Sequence, residues 1–163
     1  MNDESTKKTV ASFKKLFDKG FIQLVDQLTP EELEQFHSKP VQYFIPWRPV
    51  FSDSVSTPCR PTFDASSRTP KRPDGSGGRC LNDYVVKGSV NSLNLLRLIL
   101  RWSVGPVAFS GDLAQFYNRC KLVNSQWNLQ KFLWCPDLNP EGEIVEAIVK
   151  TLIYRVKSVS AQS

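Results

Sequence analysis

The sequence predicts an α+β fold, in one domain or part of one. The 163 residues are 40% hydrophobic, which is enough to bury a core and argues against wholesale disorder. Helical periodicity runs through residues 5–18 and 89–102, and short apolar runs bounded by proline or glycine predict strands between and after them. Helices and strands that alternate in this irregular way predict small sheets packed against helices.

The first helix lies in an N-terminal helical segment that spans residues 1–39. Apolar side chains recur on one face over residues 5–18 and lysines lie mostly elsewhere, the pattern of an amphipathic helix. Gly20 is placed to end this helix. The lysines indicate a solvated face, and nucleic-acid contact is the alternative.

A second helix is predicted from its start signal. Thr29 is a capping residue, Pro30 falls in the first turn, and Glu32 follows three residues after the cap. This combination is typical of a capping box, so we expect a helix that runs to about Ser38.

Residues 40–88 form a second segment in which the pattern becomes strand-like. Residues 42–45 and 48–51 predict one extended edge strand interrupted by prolines. Residues 60–64 predict its partner after a turn at residues 52–54. We therefore expect a hairpin here.

A loop rich in glycine, proline and serine follows the hairpin, at residues 65–79. Its four basic residues are Arg68, Lys71, Arg72 and Arg79. Such a loop could follow a phosphate backbone, or it could be an ordinary solvated loop. The residues leave both interpretations open.

The third segment, residues 89–163, begins with the strongest helical pattern in the chain. Residues 89–102 are apolar nearly all round, so we expect this helix to be largely buried beneath a sheet. Residues 132–135 and 144–153 predict a hairpin of two strands. No closing element follows the second strand, so the sheet is expected to be incomplete.

Between that helix and hairpin, a short apolar run from Gly105 leads to a lone carboxylate, Asp112. The run predicts a buried strand, and a carboxylate at its end would emerge at a sheet edge. Carboxylates held in this way are good ligands for Mg²⁺. The alternative is an aspartate that caps a helix or closes a turn.

Composition limits the class of protein further. Lys and Arg number 21 against 16 Asp and Glu, a net charge of +5 that suits a polyanionic partner. The four cysteines lack CxxC spacing and His37 is the single histidine, which argues against a zinc site. We find no secretory signal and no membrane span, and we expect an intracellular, cytoplasmic protein with reduced thiols.

Across about residues 40–163 the sequence resembles the reverse transcriptases of Bel/Pao-type LTR retrotransposons. The resemblance depends on the order and spacing of several short landmarks, each of which is weak alone. They are Arg60-x-x-Phe63-Asp64-Ala65-Ser66, Leu81-Asn82-Asp83, the long Leu/Arg helix, Gly105-Pro106-Val107-Ala108 leading to Asp112 with Phe116-Tyr117, Phe132-Leu133-Trp134, and Thr151-Leu152-Ile153-Tyr154.

The resemblance implies a partial polymerase fold, with a fingers-like hairpin and basic loop at residues 40–88 and a partial palm at residues 89–163. It implies that Asp112 is the first metal-binding carboxylate of a two-Mg²⁺ site and that the backbone carbonyl of Leu113 is a further ligand. Its partners would be an RNA template, a DNA primer and dNTPs.

For nucleotide binding, the resemblance implies that Arg60 grips the triphosphate, since a guanidinium can bind phosphate oxygens bidentately. Tyr117, beside Phe116, would lie under the incoming sugar and clash with a 2′-hydroxyl. Tyr154 would pack on the nascent base pair, and Asn82 would contact the template. From the residues alone, the alternatives are that Phe116 and Tyr117 are core aromatics, that Arg60 is a surface arginine beside a turn, and that Asn82 caps a helix or lies in a turn.

Two departures from the family pattern matter. Arg155 stands where family members usually have glycine, and a long cation there would crowd the nucleotide site. The sequence also ends before the Tyr-x-Asp-Asp hairpin that supplies the other metal carboxylates. The sequence therefore predicts a polymerase fragment that is inactive alone and whose complete element would form virus-like particles. The alternative is a non-catalytic nucleic-acid-binding or interaction remnant of a retroelement.

Overall fold

An antiparallel sheet of three short strands lies at the centre of the fold, in the order β1–β5–β4. Its strands are β1 (Ile22–Leu24), β4 (Lys131–Trp134) and β5 (Val145–Val149). The computed structural model describes residues 3–38, 42–85, 94–107, 109–136, 138–139, 141–154 and 156. Helices and small antiparallel sheets together confirm the α+β class. The predicted C-terminal hairpin is also confirmed, although β5 ends four residues earlier than expected, at Val149.

A second sheet is the hairpin of β2 (Trp47–Phe51) and β3 (Cys59–Phe63), which confirms the hairpin predicted from residues 48–64. Pro49 faces Pro61 across the pair. Prolines are tolerated at this position because a two-stranded sheet consists of edge strands, where a missing N–H costs little.

The chain just before β2 joins the two sheets. The Tyr43 N–H donates to the carbonyl of Asn128 at 2.9 Å, and the Ile45 N–H donates to that of Lys131 at 2.7 Å. Residues 43–45 therefore run along the edge of β4, and the prediction of one extended strand through residues 42–51 was wrong. Pro46 separates the two pairings, because its ring removes a backbone donor and restricts the preceding residue.

Both N-terminal helices are confirmed. Helix α1 spans Asp3–Asp18, and Gly20 follows it with φ +66°. Helix α2 spans Pro30–His37, with a short 3₁₀ turn, Val25–Gln27, before it. The Thr29 hydroxyl accepts from the Glu32 N–H at 3.2 Å, and the Glu32 carboxylate accepts from the Thr29 N–H at 3.1 Å. The local start signal thus formed as the sequence predicted.

One hydrophobic core draws on all three predicted segments. Phe13 comes from α1, Phe63 from β3 and Phe132 from β4, and each is at least nine-tenths buried. Trp47 and Trp134 complete an aromatic group around Phe13, with ring centroids 4.6 and 4.1 Å from that of Phe13. The N-terminal helix is therefore part of the core that supports both sheets.

The remaining helices are α3 (Leu81–Tyr84), α4 (Leu95–Ser103) and α5 (Phe116–Arg119), and a 3₁₀ helix, Asn124–Leu129, precedes β4. The expected burial of α4 was wrong: every residue of this helix is exposed. An apolar helix is buried only where another element packs against it, and none of the described segments covers this one. Residues 89–93 of the predicted helix lie outside the described residues. No helix in the described ranges is long and apolar enough to cross a bilayer.

Candidate functional site

Asp112 and Leu113 lie in an exposed stretch between α4 and α5. Described residues 109–113 form neither helix nor strand, so the predicted strand leading to Asp112 was wrong; Ala108 lies outside the described residues. Val107 and Phe109 are 78% and 87% exposed. An apolar run forms a strand only when a neighbouring backbone pairs with it, and this run has no such partner in the described part of the chain.

Three aromatic side chains meet at Tyr117, and we call them the aromatic trio: Phe116, Tyr117 and Tyr154. Phe116 and Tyr117 follow Asp112 by four and five residues in the sequence. The ring of Tyr117 lies edge-on to that of Phe116 at 5.5 Å and to that of Tyr154 at 5.3 Å. Tyr117 is half-buried against the core, whereas Tyr154 is 60% exposed. The trio therefore exposes aromatic surface to solvent, while Tyr117 anchors it to the hydrophobic core.

A short backbone pairing explains why residues so distant in sequence meet. Lys121 and Thr151 form an isolated antiparallel bridge. The Leu122 N–H donates to the carbonyl of Lys150, and the Leu152 N–H donates to that of Cys120, both at 2.9 Å. In an antiparallel register, residues before 121 face residues after 151, which brings Tyr117 and Tyr154 to the same place.

The turn that leads into the trio is held by a contact that the sequence did not indicate. Gln115, at the start of α5, has a left-handed backbone with φ 57°. Its side-chain oxygen accepts from Lys19 Nζ at 3.2 Å, and Arg119 Nε donates to the carbonyl of Ala114 at 3.1 Å. These contacts tie the loop beside Asp112 to the end of the N-terminal helix.

Arg60 lies exposed on β3, opposite Val50. Asp64, four residues later, closes a turn: its carboxylate accepts from the N–H of Ser66 at 3.0 Å. The Ser66 hydroxyl and N–H, helped by Arg48, hold the pKa of the Asp64 carboxyl below its usual range. The hairpin therefore presents Arg60 to solvent while Asp64 stabilises the turn that follows.

Arg68 has a structural partner. Its Nη1 atom donates to the Asp83 carboxylate at 2.9 Å and to the carbonyl of Gly78 at 2.6 Å. The pKa of Asp83 is lowered, first by the hydrogen bond from the Cys80 N–H and then by Arg68. A phosphate contact by Arg68 would have to compete with this ion pair, whereas Lys71, Arg72 and Arg79 are exposed.

Asn82 lies half-buried in α3, and its N–H donates to the carbonyl of Ala65 at 3.2 Å. This bond joins the Asn82 region to the turn after β3. A backbone hydrogen bond thus connects residues 81–83 to residues 60–66, the segment that contains Arg60. Between Arg60 and Asp112, in contrast, no hydrogen bond or ion pair exists in the described chain. Arg155 lies outside the described residues.

A magnesium site needs several oxygen ligands around one point. No group of three or more Asp, Glu, His or Cys side chains that could hold a metal occurs among the described residues. Asp112 can supply one carboxylate and Leu113 one carbonyl, and these do not make a two-metal site. All four cysteines are free thiols.

Comparisons with protein-family models, curated proteins and solved structures found no match to this chain.

Proposed function

We propose that this chain is a fingers and partial palm fragment of an RNA-directed DNA polymerase similar to Bel/Pao-type reverse transcriptases, without polymerase activity of its own. The observation that carries the proposal is the contact between Tyr117 and Tyr154, with ring centroids 5.3 Å apart. Both were expected at the nucleotide site from separate landmarks. Asp112, five residues before Tyr117 in the sequence, is exposed and available to a ligand, which supports a shared role.

The trio suits an incoming nucleotide chemically. Exposed aromatic rings can pack on a sugar or a base. The half-buried ring of Tyr117 is held against the core and cannot move away easily, so a 2′-hydroxyl pressed against it would be excluded. Preference for dNTPs over NTPs is therefore expected to depend on this side chain.

Arg60 and Asp112 would act on the phosphates. The exposed guanidinium of Arg60 can bind phosphate oxygens in a bidentate manner. Asp112 would share a Mg²⁺ ion with the triphosphate, but one carboxylate cannot hold the two ions that phosphoryl transfer requires. The chain alone is thus expected to bind a nucleotide weakly and to catalyse no primer extension on an RNA template.

Two-dimensional amide NMR of the labelled protein, titrated with dTTP and Mg²⁺, tests the proposal. We expect shifts at Asp112, Tyr117 and Tyr154 that need both components. Asp112→Asn should remove the Mg²⁺ dependence, whereas Asp53→Asn, an exposed aspartate in the β2–β3 turn, should not. Tyr117→Ala should reduce the preference for dTTP over UTP.

The proposal of a nucleotide site would be overturned if no shifts occurred at millimolar dTTP. It would also be overturned if the Mg²⁺ dependence of the shifts were the same in Asp112→Asn and Asp53→Asn. Primer extension with purified protein, Mg²⁺ and all four dNTPs tests the second part of the proposal. Robust synthesis would show that the chain is not inactive alone.

A second candidate function is a non-catalytic nucleic-acid-binding remnant of a retroelement. The exposed Lys71, Arg72 and Arg79 on one loop favour it. Phosphate contacts release counterions, so binding to an RNA oligonucleotide should weaken steeply as salt rises. Salt-dependent RNA binding without any response to dTTP and Mg²⁺ would support this function over the first.

A further inference from the structure

A cavity of about 560 Å³ lies between the basic loop, residues 65–79, and the hydrophobic core. Leu81 is one of the core residues that line it. Its volume falls within the range of small-molecule sites. Leu81 is almost fully buried, and Tyr43 and Leu129 are half-buried. Further lining residues are Gln42, Tyr84 and Arg79.

The wall formed by the loop has a defined shape. The Thr69 N–H donates to the carbonyl of Arg79 at 2.9 Å, and the Gly78 N–H donates to that of Thr69 at 3.0 Å. Gly77 has φ +86°, and a Cβ added there would lie 2.1 Å from the carbonyl oxygen of Pro70. The backbone therefore closes on itself at a position that requires glycine, which gives the cavity a preformed side.

Tyr43 is held as part of the opposite wall. Its hydroxyl donates to the carbonyl of Ser67 at 3.1 Å, and burial raises the pKa of the phenol. The ring is thus fixed with its polar end already bonded, and it offers the cavity mainly apolar surface. Leu81 and Leu129 continue that surface.

Arg79 supplies the positive charge. Its guanidinium carbon lies 5.8 Å from the centroid of the Tyr84 ring. Within the described ranges, no carboxylate forms an ion pair with Arg79, in contrast to Arg68, which is paired with Asp83. A guanidinium placed over an aromatic ring, with donors left for a ligand, is well suited to an anion.

We propose that this cavity is a binding site for a small planar organic anion, an aromatic or heteroaromatic ring that carries a phosphate or a carboxylate. The ring would lie against Tyr43, Leu81 and Leu129, and the anion would bind Arg79. The site is separate from Asp112 and the aromatic trio, so it does not depend on the polymerase proposal.

Isothermal titration calorimetry and amide NMR test this inference with a matched set of probes. Adenosine 5′-monophosphate carries ring and anion, adenosine lacks the anion, and ribose 5-phosphate lacks the ring. Naphthalene-2-carboxylate tests whether the anion is a carboxylate. The two complete probes, which carry both ring and anion, are adenosine 5′-monophosphate and naphthalene-2-carboxylate. We expect one of them to bind, with shifts at Tyr43, Leu81 and Tyr84. The incomplete probes, adenosine and ribose 5-phosphate, should each bind at least tenfold more weakly.

Arg79→Gln should weaken binding of the complete probe about tenfold, the loss expected for one charge-assisted hydrogen bond. Arg72→Gln is the control, because Arg72 has the same charge in the same loop and does not line the cavity. Asp53→Asn should leave binding unchanged, because Asp53 is exposed in the β2–β3 turn and does not line the cavity. Unfolding curves confirm first that both arginine variants are folded. The inference would be overturned by any of three results: equal losses of affinity in the two arginine variants, NMR shifts outside the cavity, or no binding of either complete probe at millimolar concentration.

Discussion

The ring of Phe13 in α1 stacks on that of Trp134 in β4, with centroids 4.1 Å apart and planes inclined by 29°. Phe13 is fully buried, and it also contacts Phe63 and Phe132 through ring edges or tilted faces. One side chain thus connects the N-terminal helix to both sheets. The fold of the remainder is expected to depend on this helix.

Phe13→Ala should lower the free energy of unfolding by about 3–5 kcal/mol, because it removes a buried ring and leaves a cavity. Urea unfolding followed by tryptophan fluorescence measures the loss. Phe17→Ala on the same helix is the matched control, since Phe17 is only partly buried beside the same core. A similar loss in both variants would contradict the central place of Phe13.

Thr29→Ala should destabilise the protein by about 1 kcal/mol through loss of the helix cap. The substitution leaves the Glu32 N–H without the hydroxyl that accepts from it at 3.2 Å. Thr29→Ser should restore most of the stability, because it keeps the hydroxyl. Urea midpoints at neutral pH compare the three proteins, and equal midpoints for alanine and serine would rule out the capping role.

The stabilising effect of Glu32 should depend on pH. The Thr29 N–H and then the Lys150 ammonium, 3.1 Å away, lower the pKa of the Glu32 carboxyl from its ordinary value of 4.5. A group whose pKa is lowered by folding stabilises the folded state above the unfolded pKa, and this stability disappears as pH falls through the folded pKa.

Wild type should therefore be more stable than Glu32→Gln at pH 7, and the difference should shrink below about pH 4.5. Thermal unfolding from pH 3 to pH 7 provides the comparison. Glu31→Gln changes the same charge in the same helical turn and is the control. A wild-type advantage that is constant across this range would contradict the assignment.

Gly77→Ala should be more damaging than Gly75→Ala. Both glycines have positive φ, +86° and +81°, but only the Cβ at position 77 would meet a backbone atom within 4 Å. Left-handed backbone at a residue other than glycine costs about 1–3 kcal/mol, and the clash at position 77 adds to it. Amide hydrogen exchange at Thr69 and Gly78 should accelerate most in Gly77→Ala; equal acceleration in both variants would contradict this prediction.

Local chemistry let the sequence predict several elements. The cap, proline and glutamate at Thr29, Pro30 and Glu32 are all within four residues of each other, and α2 begins where they place it. The amphipathic pattern of α1 and the hairpin between residues 47 and 63 are likewise local signals, and both are confirmed. These signals act through bonds and packing between near neighbours in sequence.

Burial and distant pairing required the tertiary structure. The apolar α4 was expected to be buried, yet Leu95 and Leu96 are 68% and 66% exposed, because burial depends on a covering element that periodicity does not reveal. β1 spans three residues, which is too short a segment to show a strand pattern of its own. It forms a strand because it pairs with β5. The approach of Tyr117 to Tyr154 follows from the bridge between Lys121 and Thr151, a contact that no local pattern specifies.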